Sequence, residues 1–535
     1  MERTRLCGLI LREHFGDAVE QVGIYLMKNG ARPLHSIIRD CKYDRATVQK
    51  CLCSLLQHQL IWAAPNKMAN VSLYDVDMNR ILWFTRYAKF IHKAKVTFGD
   101  VGELIVENLL LQGQNLMSGC VQIVSEKLDT GPGDGTEIGE AVKQKFIDLI
   151  DAKVLHRVSC PSSSESDAIT VSHHQLPPTE GIQYKRKRST DGLEVDGPSR
   201  KKSKREDGAE SLQPPDAGIF WCINFSWFHH YLRVEAIVKV VATKIDTSAG
   251  HVMRAVLTAA TVVTDDGVHY NTKDVSNMDI SRTLSSEINL SAEVLDQYLS
   301  LLTDHKINVL GKCGDSGGGT YSINYKHLDT MLCQSTIESI VREKFGSKSY
   351  RIFRLLLMKK SLEQKQVAEM AMIPTKEVKA ILYSLVAEKY LTLQEIPRSG
   401  ETSKTVYLFS VNLQRLARSL LDQCYKALGN MMTRRIQHNE ENKKLLEKYS
   451  DYETKRTQLL HNDHPPSQEE LDEIEDTITA LEKAEAEKCR DVIAKLFWCI
   501  SSMIFKWVNC RLEYAELQLD ETIMFISNYI ISLFS

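Results

Sequence analysis

The sequence predicts a mainly α-helical chain with small β-hairpins, arranged as four tandem, extended winged-helix domains followed by an antiparallel coiled-coil hairpin. Three observations carry this expectation. Arg12-Glu13-His14-Phe15-Gly16 returns as Arg342-Glu343-Lys344-Phe345-Gly346, and repetition on that scale signals duplicated structural units. Amphipathic helical patterns run repeatedly into two β-like runs joined by a turn. The C-terminal part changes to long, charged helical patterns broken at Pro465-Pro466, where a helix cannot continue.

The first and fourth units are the clearest. At the offset of the opening repeat, CLCSLLQHQLI (51–61) aligns with ILYSLVAEKYLT (381–392), matching Leu52, Ser54 and Leu55 to Leu382, Ser384 and Leu385. Each unit holds a first helical pattern, a polar break, a short second helix and an amphipathic third: DRATVQKCLCSLLQH (44–58) or PTKEVKAILYSLVAE (374–388). In the latter, Val378, Ile381, Leu382, Leu385 and Val386 recur at helical spacing, and Pro374 stands where a missing amide is harmless. LIWAAPNKMANVSLYDV (60–76) and YLTLQEIPRSGETSKTVYLFSV (390–411) then supply two-stranded hairpins. Two less regular copies lie between. One holds DVGELIVENLLLQG and AVKQKFIDLIDAKVLHRV within 100–159; the other holds FSWFHHYLRVEAIVKVVATKI, HVMRAVLTAAT and LSAEVLDQYLSLLTDH within 218–330. The expected divisions are 1–80, 81–159, 218–340 (with a polar insertion) and 341–413.

In the third unit, GKCGDSGGGTYSI (311–323) contains Gly314-Asp315-Ser316-Gly317-Gly318, the short signature around the nucleophilic serine of trypsin-like proteases. Such an enzyme needs a histidine and an aspartate placed by a double β-barrel, whereas the flanks here are helical patterns. A phosphate-cradling loop would need a Lys-Ser/Thr pair after the glycines and a helix beginning there. KINVL and TYSINY read instead as strands, and the glycines supply positive φ in the turn between them. This is the expected wing. No catalytic residue, cofactor or metal ligand is assigned.

Residues 160–217 are rich in Ser, Pro and charge and poor in large apolar groups, the composition of a disordered linker. Two basic clusters lie in it: Lys185, Arg186, Lys187 and Arg188, then Arg200, Lys201, Lys202, Lys204 and Arg205. Their spacing is that of a bipartite nuclear-import signal; the plainer alternative is a solvated charge run drawn to phosphates. Residues 414–490 form the expected coiled-coil hairpin and 491–535 terminal docking helices. VIAKLFWCISSMIFKWV (492–508) is too short for a bilayer and interrupted by Lys495 and Lys506, so a buried or partner-facing helix is expected there, with no membrane partner.

Composition narrows the classes further. The 535 residues carry a net charge of −2, so no chain-wide basic field exists, and nucleic-acid affinity must come from local patches. The 13 cysteines include no CxxC pair, which argues for reduced thiols and against disulfide or zinc frameworks. The N-terminal apolar run is too quickly charged for a signal peptide. The first candidate patch is WFTRYAKFIHKAKVTF (83–98), where Arg86, Lys89, Lys93 and Lys95 alternate with Trp83, Phe84, Tyr87 and Phe90. Its cations would neutralise phosphates while its rings stack on unpaired bases; the alternative is an interdomain helix whose aromatics are buried. The second gathers Lys344, Lys348, Arg351, Arg354, Lys359 and Lys360, facing DNA, an acidic partner or only solvent. The third helices are poor base readers: one offers Lys376 and Lys379, another is net acidic.

The order of these modules resembles a known family, the winged-helix subunit of RNA polymerase III, which is the largest member of the initiation heterotrimer and is similar to the large subunit of TFIIE. The matching segments are LREHFGD (11–17), DVGELIVENLLLQG (100–113), LDQYLSLLTD (295–304), VLGKCGDSGGGTYSIN (309–324), VREKFGSKSYRIFRLLLMKKSLEQKQVAEMAMIPTKE (341–377), YLTLQEIP (390–397) and ELQLDETI (516–523). One departure is the apolar run 492–508, where the family pattern is a charged helix. The resemblance implies a non-catalytic nuclear subunit that sits on the clamp of the largest polymerase subunit and joins two smaller partners. It also implies cooperation with initiation factors, promoter opening and non-specific contact with single-stranded DNA. Competing classes are a scaffold of a proteasome-lid or cullin-type assembly, a serine enzyme and a sequence-specific repressor. The tandem helical repeats leading into a single winged helix that the first would show are missing, and the third helices are too acidic for the last.

Overall fold

The computed structural model describes residues 1–66, 71–128, 135–158, 216, 218–260, 262–264, 267–269, 274–284, 290–304, 309–314, 318–397, 405–461 and 477–508. The chain is mainly helical with small antiparallel sheets.

The first unit opens with α1 (Glu2–Phe15) and α2 (Asp17–Asn29), followed by β1 (Arg32–Pro33), α3 (Leu34–Cys41) and α4 (Arg45–Gln57). Asp44 caps α4 by accepting the Ala46 amide at 3.3 Å, satisfying one of the donors a helix start leaves open. β2 (Ile61–Asn66) and β3 (Val71–Val76) complete a sheet in the order β1-β3-β2. α5 (Met78–Trp83), a single 3₁₀ turn at Phe84–Arg86 and the long α6 (Tyr87–Gln112) lead into the second unit. That unit adds β4 (Asn115–Leu116), α7 (Met117–Leu128), α8 (Gly135–Asp151) and β5 (Leu155–Arg157). Its third strand is β6 (Phe220–Ile223), which lies between β4 and β5.

Next come α9 (Phe225–Lys244), α10 (Thr247–Ala260), the small hairpin of β7 (Val262–Thr264) and β8 (Gly267–His269), then β9 (Val275–Ser276) and α11 (Asn277–Leu284). α12 (Ala292–Thr303), β10 (Leu310–Gly314) and β11 (Thr320–Ile323) close the third unit. The fourth holds α13 (Tyr325–Lys359), β12 (Ser361–Glu363), α14 (Gln364–Ala371), α15 (Thr375–Ala387), β13 (Thr392–Pro397) and β14 (Thr405–Ser410). Every one of the three-stranded sheets places the last strand of its unit in the middle. α16 (Leu413–Glu441), α17 (Lys443–His461) and α18 (Ala480–Val508) follow. α18 runs back along the other two: Phe497 lies beneath Arg435 of α16, while Glu482 and Lys483 meet Lys448 and Tyr452 of α17.

The chain passes between units within continuous helices. α6 and α13 each change direction at one glycine, Gly99 (φ 79°, ψ −171°) and Gly346 (φ 82°, ψ 179°), and Gly16 (φ 88°, ψ 176°) does the same between α1 and α2. That backbone region is nearly closed to residues with a Cβ. The three sites read Phe15-Gly16-Asp17, Phe98-Gly99-Asp100 and Phe345-Gly346-Ser347; the sequence reading paired the first and last and missed the middle one.

The expected divisions shift as a result. Ile81, Leu82 and Phe84 pack in the first core, not the second. Trp221, Ile223, Phe228 and Leu232 pack in the second core, and the third begins at Val234. The handover to the fourth core falls between Leu332 and Cys333 on α13. Residues 160–217 therefore do not separate the second unit from the third, because the chain returns from them to complete the second sheet. Val158 donates to the Phe220 carbonyl at 2.8 Å, and Asp216, 2% exposed, accepts from the Ser118 amide and hydroxyl at 2.8 Å each. The import-signal candidates Lys185 to Arg188 and Arg200 to Arg205 lie outside the described residues.

The Gly-rich stretch pairs as strands: Leu310 opposes Ile323 and Lys312 opposes Tyr321, with the register shifting between Lys312 and Gly314. Gly318 and Gly319 take φ +87° and +109°. Ser316 lies outside the described residues.

Candidate nucleic-acid interface

The aromatic and basic residues at 83–98 alternate in sequence but separate in space. Helical spacing puts Phe84, Tyr87 and Phe90 on the inner side; α9 supplies what Tyr87 and Phe90 pack against, while Phe84 packs on His14, Phe15 and His58 of the first unit. Phe90 has no exposed surface and lies 4.9 Å from Phe228, Phe84 stacks on Tyr87 at 4.6 Å, and Trp83 lies 5.1 Å from Phe225. Burial pushes the Tyr87 phenol well above its ordinary pKa. Phe84 and Phe90 belong to the cores and Tyr87 packs against them, so these three rings present no base-stacking face, while Trp83 is half-buried. The alternative reading, an interdomain helix with buried aromatics, describes their geometry.

The cations of the segment are engaged as well. Arg86, 3% exposed, donates to Nδ1 of His229 at 3.0 Å. Burial, reinforced by the Arg86 charge, holds that imidazole well below its usual pKa and so keeps the ring neutral and able to accept. Burial draws Lys89 down to about 8, and Arg86 adds to the effect. Lys93 places Nζ 3.6 Å from the Tyr231 ring centroid, a cation–π contact. Lys95 binds Glu103 at 2.7 Å and Asp100 at 3.2 Å. For Arg86 and Lys93 the sequence held no local sign of this outcome, because His229 and Tyr231 come from a distant part of the chain, whereas Lys95 pairs with acids close by in sequence.

The second patch divides. Lys344 pairs with Glu388 at 2.8 Å, Lys348 with Glu377 at 2.6 Å, and Arg351 donates to the Ala371 carbonyl at 3.3 Å. Arg354, Lys359 and Lys360 are exposed. Lys376 and Lys379 are exposed on α15, as is Tyr383 on the same helix at 45%; on β14, Tyr407 is 44% exposed. The sequence reading passed over these tyrosines. Tyr383 immediately follows buried Leu382 and so falls off the apolar stripe, which is the signal that would have found it. α12 presents Glu293 and Asp296 outward, Asp304 is exposed just past its end, and the helix carries no cation, a surface that repels phosphate. Among the described residues no group of three or more His, Cys, Asp or Glu side chains could hold a metal ion, and no helix is long and apolar enough to cross a membrane.

A largely helical chain whose four three-stranded antiparallel sheets share one strand order defines a class: a protein built of repeated helix–sheet units. Comparison with known proteins places it more closely. The family description "RNA polymerase III subunit RPC82 helix-turn-helix domain" matches residues 5–66, "RNA polymerase III subunit RPC82" matches 144–332, and "POLR3C, C-terminal winged-helix domain" matches 337–411. The chain is 38% identical over 543 residues to the DNA-directed RNA polymerase III subunit RPC3 of Bos taurus, covering 98% of each. It is 37% identical over 554 residues to that of Danio rerio, covering 99% of this chain and 98% of the other. The rpc3 subunit of Dictyostelium discoideum is 29% identical over 246 residues, covering 44% of this chain and 37% of the other. The chain belongs to the RNA polymerase III subunit RPC3 family.

Proposed function

We propose that this chain is a non-catalytic subunit of RNA polymerase III whose four helix–sheet units are winged helices in tandem, followed by a coiled-coil hairpin. In this reading it docks on the clamp of the largest subunit with two smaller partners. There it works with initiation factors to open promoter DNA and hold it for transcription of small untranslated RNAs in the nucleus. The full-length similarity to RPC3 proteins carries the reading. The shared strand order of the four sheets supports the winged-helix part. The clusters at 185–188 and 200–205 support nuclear import. Affinity purification from nuclear extract tests the assignment: polymerase III subunits are the expected co-purifying proteins, and proteasome-lid or ubiquitin-ligase subunits in their place would overturn it.

DNA contact in this reading is non-specific. It is carried by the face of the fourth unit holding Lys348, Arg351 and Arg354 and by Lys376 and Lys379 on the same helix as Tyr383, rather than by Arg86, Tyr87, Lys89, Phe90, Lys93 and Lys95. Reversing Arg354, Lys376 and Lys379 to Glu should weaken retention of single-stranded DNA and lower the slope of log affinity against log salt by roughly 0.7 for each phosphate no longer neutralised. Reversing Arg86 and Lys93 should instead loosen the joint with α9, read as faster amide exchange there. Unchanged DNA retention after the first set of changes removes the fourth unit from the interface.

A further inference from the structure

The corners at Gly16, Gly99 and Gly346 take nearly the same backbone angles, so residues at matched positions around them stand in matched places. At the first, Arg12, four residues before the glycine, binds Asp17, the residue after it, at 2.8 Å. At the second, Lys95 binds Asp100 at 3.2 Å across the same interval. Each pair clasps a corner within its own unit. The third corner keeps the base and lacks the acid: Arg342 stands four residues before Gly346, and Ser347 follows it. Both are exposed, and among the described residues Arg342 makes no ion pair and the Ser347 hydroxyl no hydrogen bond. The other two bases near Ser347 are already engaged, Lys344 with Glu388 and Lys348 with Glu377.

We propose that Ser347 is a phosphorylation site, and that its phosphate supplies at this corner the acid that the first two carry as aspartate. The reaction is phosphoryl transfer from ATP by a serine/threonine kinase. The Ser347 Oγ–H bond breaks and its proton passes to the kinase's base, while a bond forms from Oγ to the γ-phosphorus. The bond from that phosphorus to the bridging oxygen breaks, and ADP leaves with the electron pair. The product carries about −1.5 to −2 charges at pH 7 and three strong acceptor oxygens, so it answers Arg342 as Asp17 answers Arg12. The surroundings suit a kinase that reads basic residues. Arg342 and Lys344 lie five and three places before the serine, and Lys348 directly follows it. The helical geometry is already broken at Gly346, immediately before the hydroxyl. Ser349, two residues on, is 5% exposed and donates to the Phe345 carbonyl at 2.9 Å, so the choice falls on Ser347. Phosphate here would clasp the corner between the two halves of α13, both of which pack in the fourth core.

The test has two arms, both on the full chain. Recovered from growing cells with phosphatases inhibited, the chain should carry phosphate on Ser347, as mapped by mass spectrometry. In the purified chain, Ser347→Asp, which places at this corner the acid of the other two, should slow amide exchange over residues 348–351 by about two- to five-fold. Most of that slowing should disappear when Arg342→Gln is added, measured against Arg342→Gln alone. Recovery of Ser347 only in its unmodified form overturns the modification site. Exchange that Ser347→Asp leaves unchanged, or slows equally with and without Arg342→Gln, overturns the pairing with Arg342.

Discussion

At the C-terminal end of the third helix the first unit has His58, and the fourth, at the repeat offset, has Glu388; across from these stand His14 and Lys344, two residues ahead of Gly16 and Gly346. The buried leucines are shared: Leu52 and Leu55 match Leu382 and Leu385. Phe15 and Phe345 also match, but Phe15 meets His58 edge-on at 4.8 Å, whereas Phe345 meets Tyr390, which stands where the first unit has Leu60, edge-on at 5.0 Å. The polar chemistry is not shared. Lys344 and Glu388, 42% and 49% exposed, form an ion pair in water, a pairing worth about 0–1 kcal/mol. Around His14 and His58 the chain closes in. Phe84 lies 4.8 Å from His14, Arg435 of α16 binds Glu13, and Tyr425, Leu428 and Met432 of α16 join the first core. α16 thus ends the fourth unit through Leu416 and Leu420 and then covers the first. The difference teaches that the repeat preserves backbone and core, while the polar residues at its seam report what covers each copy.

The sharpest way to test the shared part is at the matched leucines. Leu55 and Leu385 are 1% and 0% exposed at equivalent turns of α4 and α15. Either Leu→Ala change should cost about 2–5 kcal/mol, the range for a large-to-small change in a packed core. Amide exchange followed by mass spectrometry should localise each loss to its own unit. A change at Leu385 that loosens the first unit equally would show that α16 couples the two cores into one cooperative block.

The unshared part is tested by pH. Burial, with the His14 charge adding, lowers His58 from 6.5 to about 4, and His14 is lowered as well, chiefly by burial. A histidine whose folded pKa is depressed binds fewer protons in the native state than in the unfolded one. Stability of the first unit is therefore full above about pH 6.5 and declines as pH falls toward about 4. In the fourth unit, hydrogen bonding to Glu388 raises Lys344 above its ordinary pKa, so that cation does not titrate in this window. Amide exchange at pH 7.5 and 5 should show the first unit opening preferentially at the lower pH, and His58→Gln should remove most of that preference. Equal acid sensitivity in both units would refute the account.

How much of this was legible in the sequence depended on distance. The first and fourth units could be read because Leu52, Leu55, Leu382 and Leu385 lie on local helical stripes that repeat. The second unit was read only as far as β5. Leu155–Arg157 and Phe220–Ile223 are too short to show a period of two, and a long polar segment separates them, so their pairing left no local trace. The rings at 83–90 had the composition of a stacking platform. Their burial was decided by Phe225, Phe228 and His229 on α9 and, for Phe84, by His14, Phe15 and His58, so composition could not distinguish platform from core.

The smallest effect separates the two copies at one residue. The first unit ends α2 at Gly30, φ 70°, and the fourth ends α13 at Lys360, φ 68° with ψ −59°. The second angle pair is that of the rare, strained γ-turn, and a side chain there has no contact that repays the strain, since Lys360 is exposed. Glycine enters this region at little steric cost but gives the unfolded chain more freedom, so the two effects oppose each other. Relief of a residue held at positive φ is worth about 1–3 kcal/mol, and the added chain entropy takes back about 0.4–1 kcal/mol. Lys360→Gly should therefore stabilise the fourth unit by about 1 kcal/mol, read as slower amide exchange across α13 and β12, whereas the converse change Gly30→Lys should destabilise the first. A neutral result for Lys360→Gly combined with a costly Gly30→Lys would show that the fourth unit relaxes around its lysine, and that the two helix ends differ in more than the residue they carry.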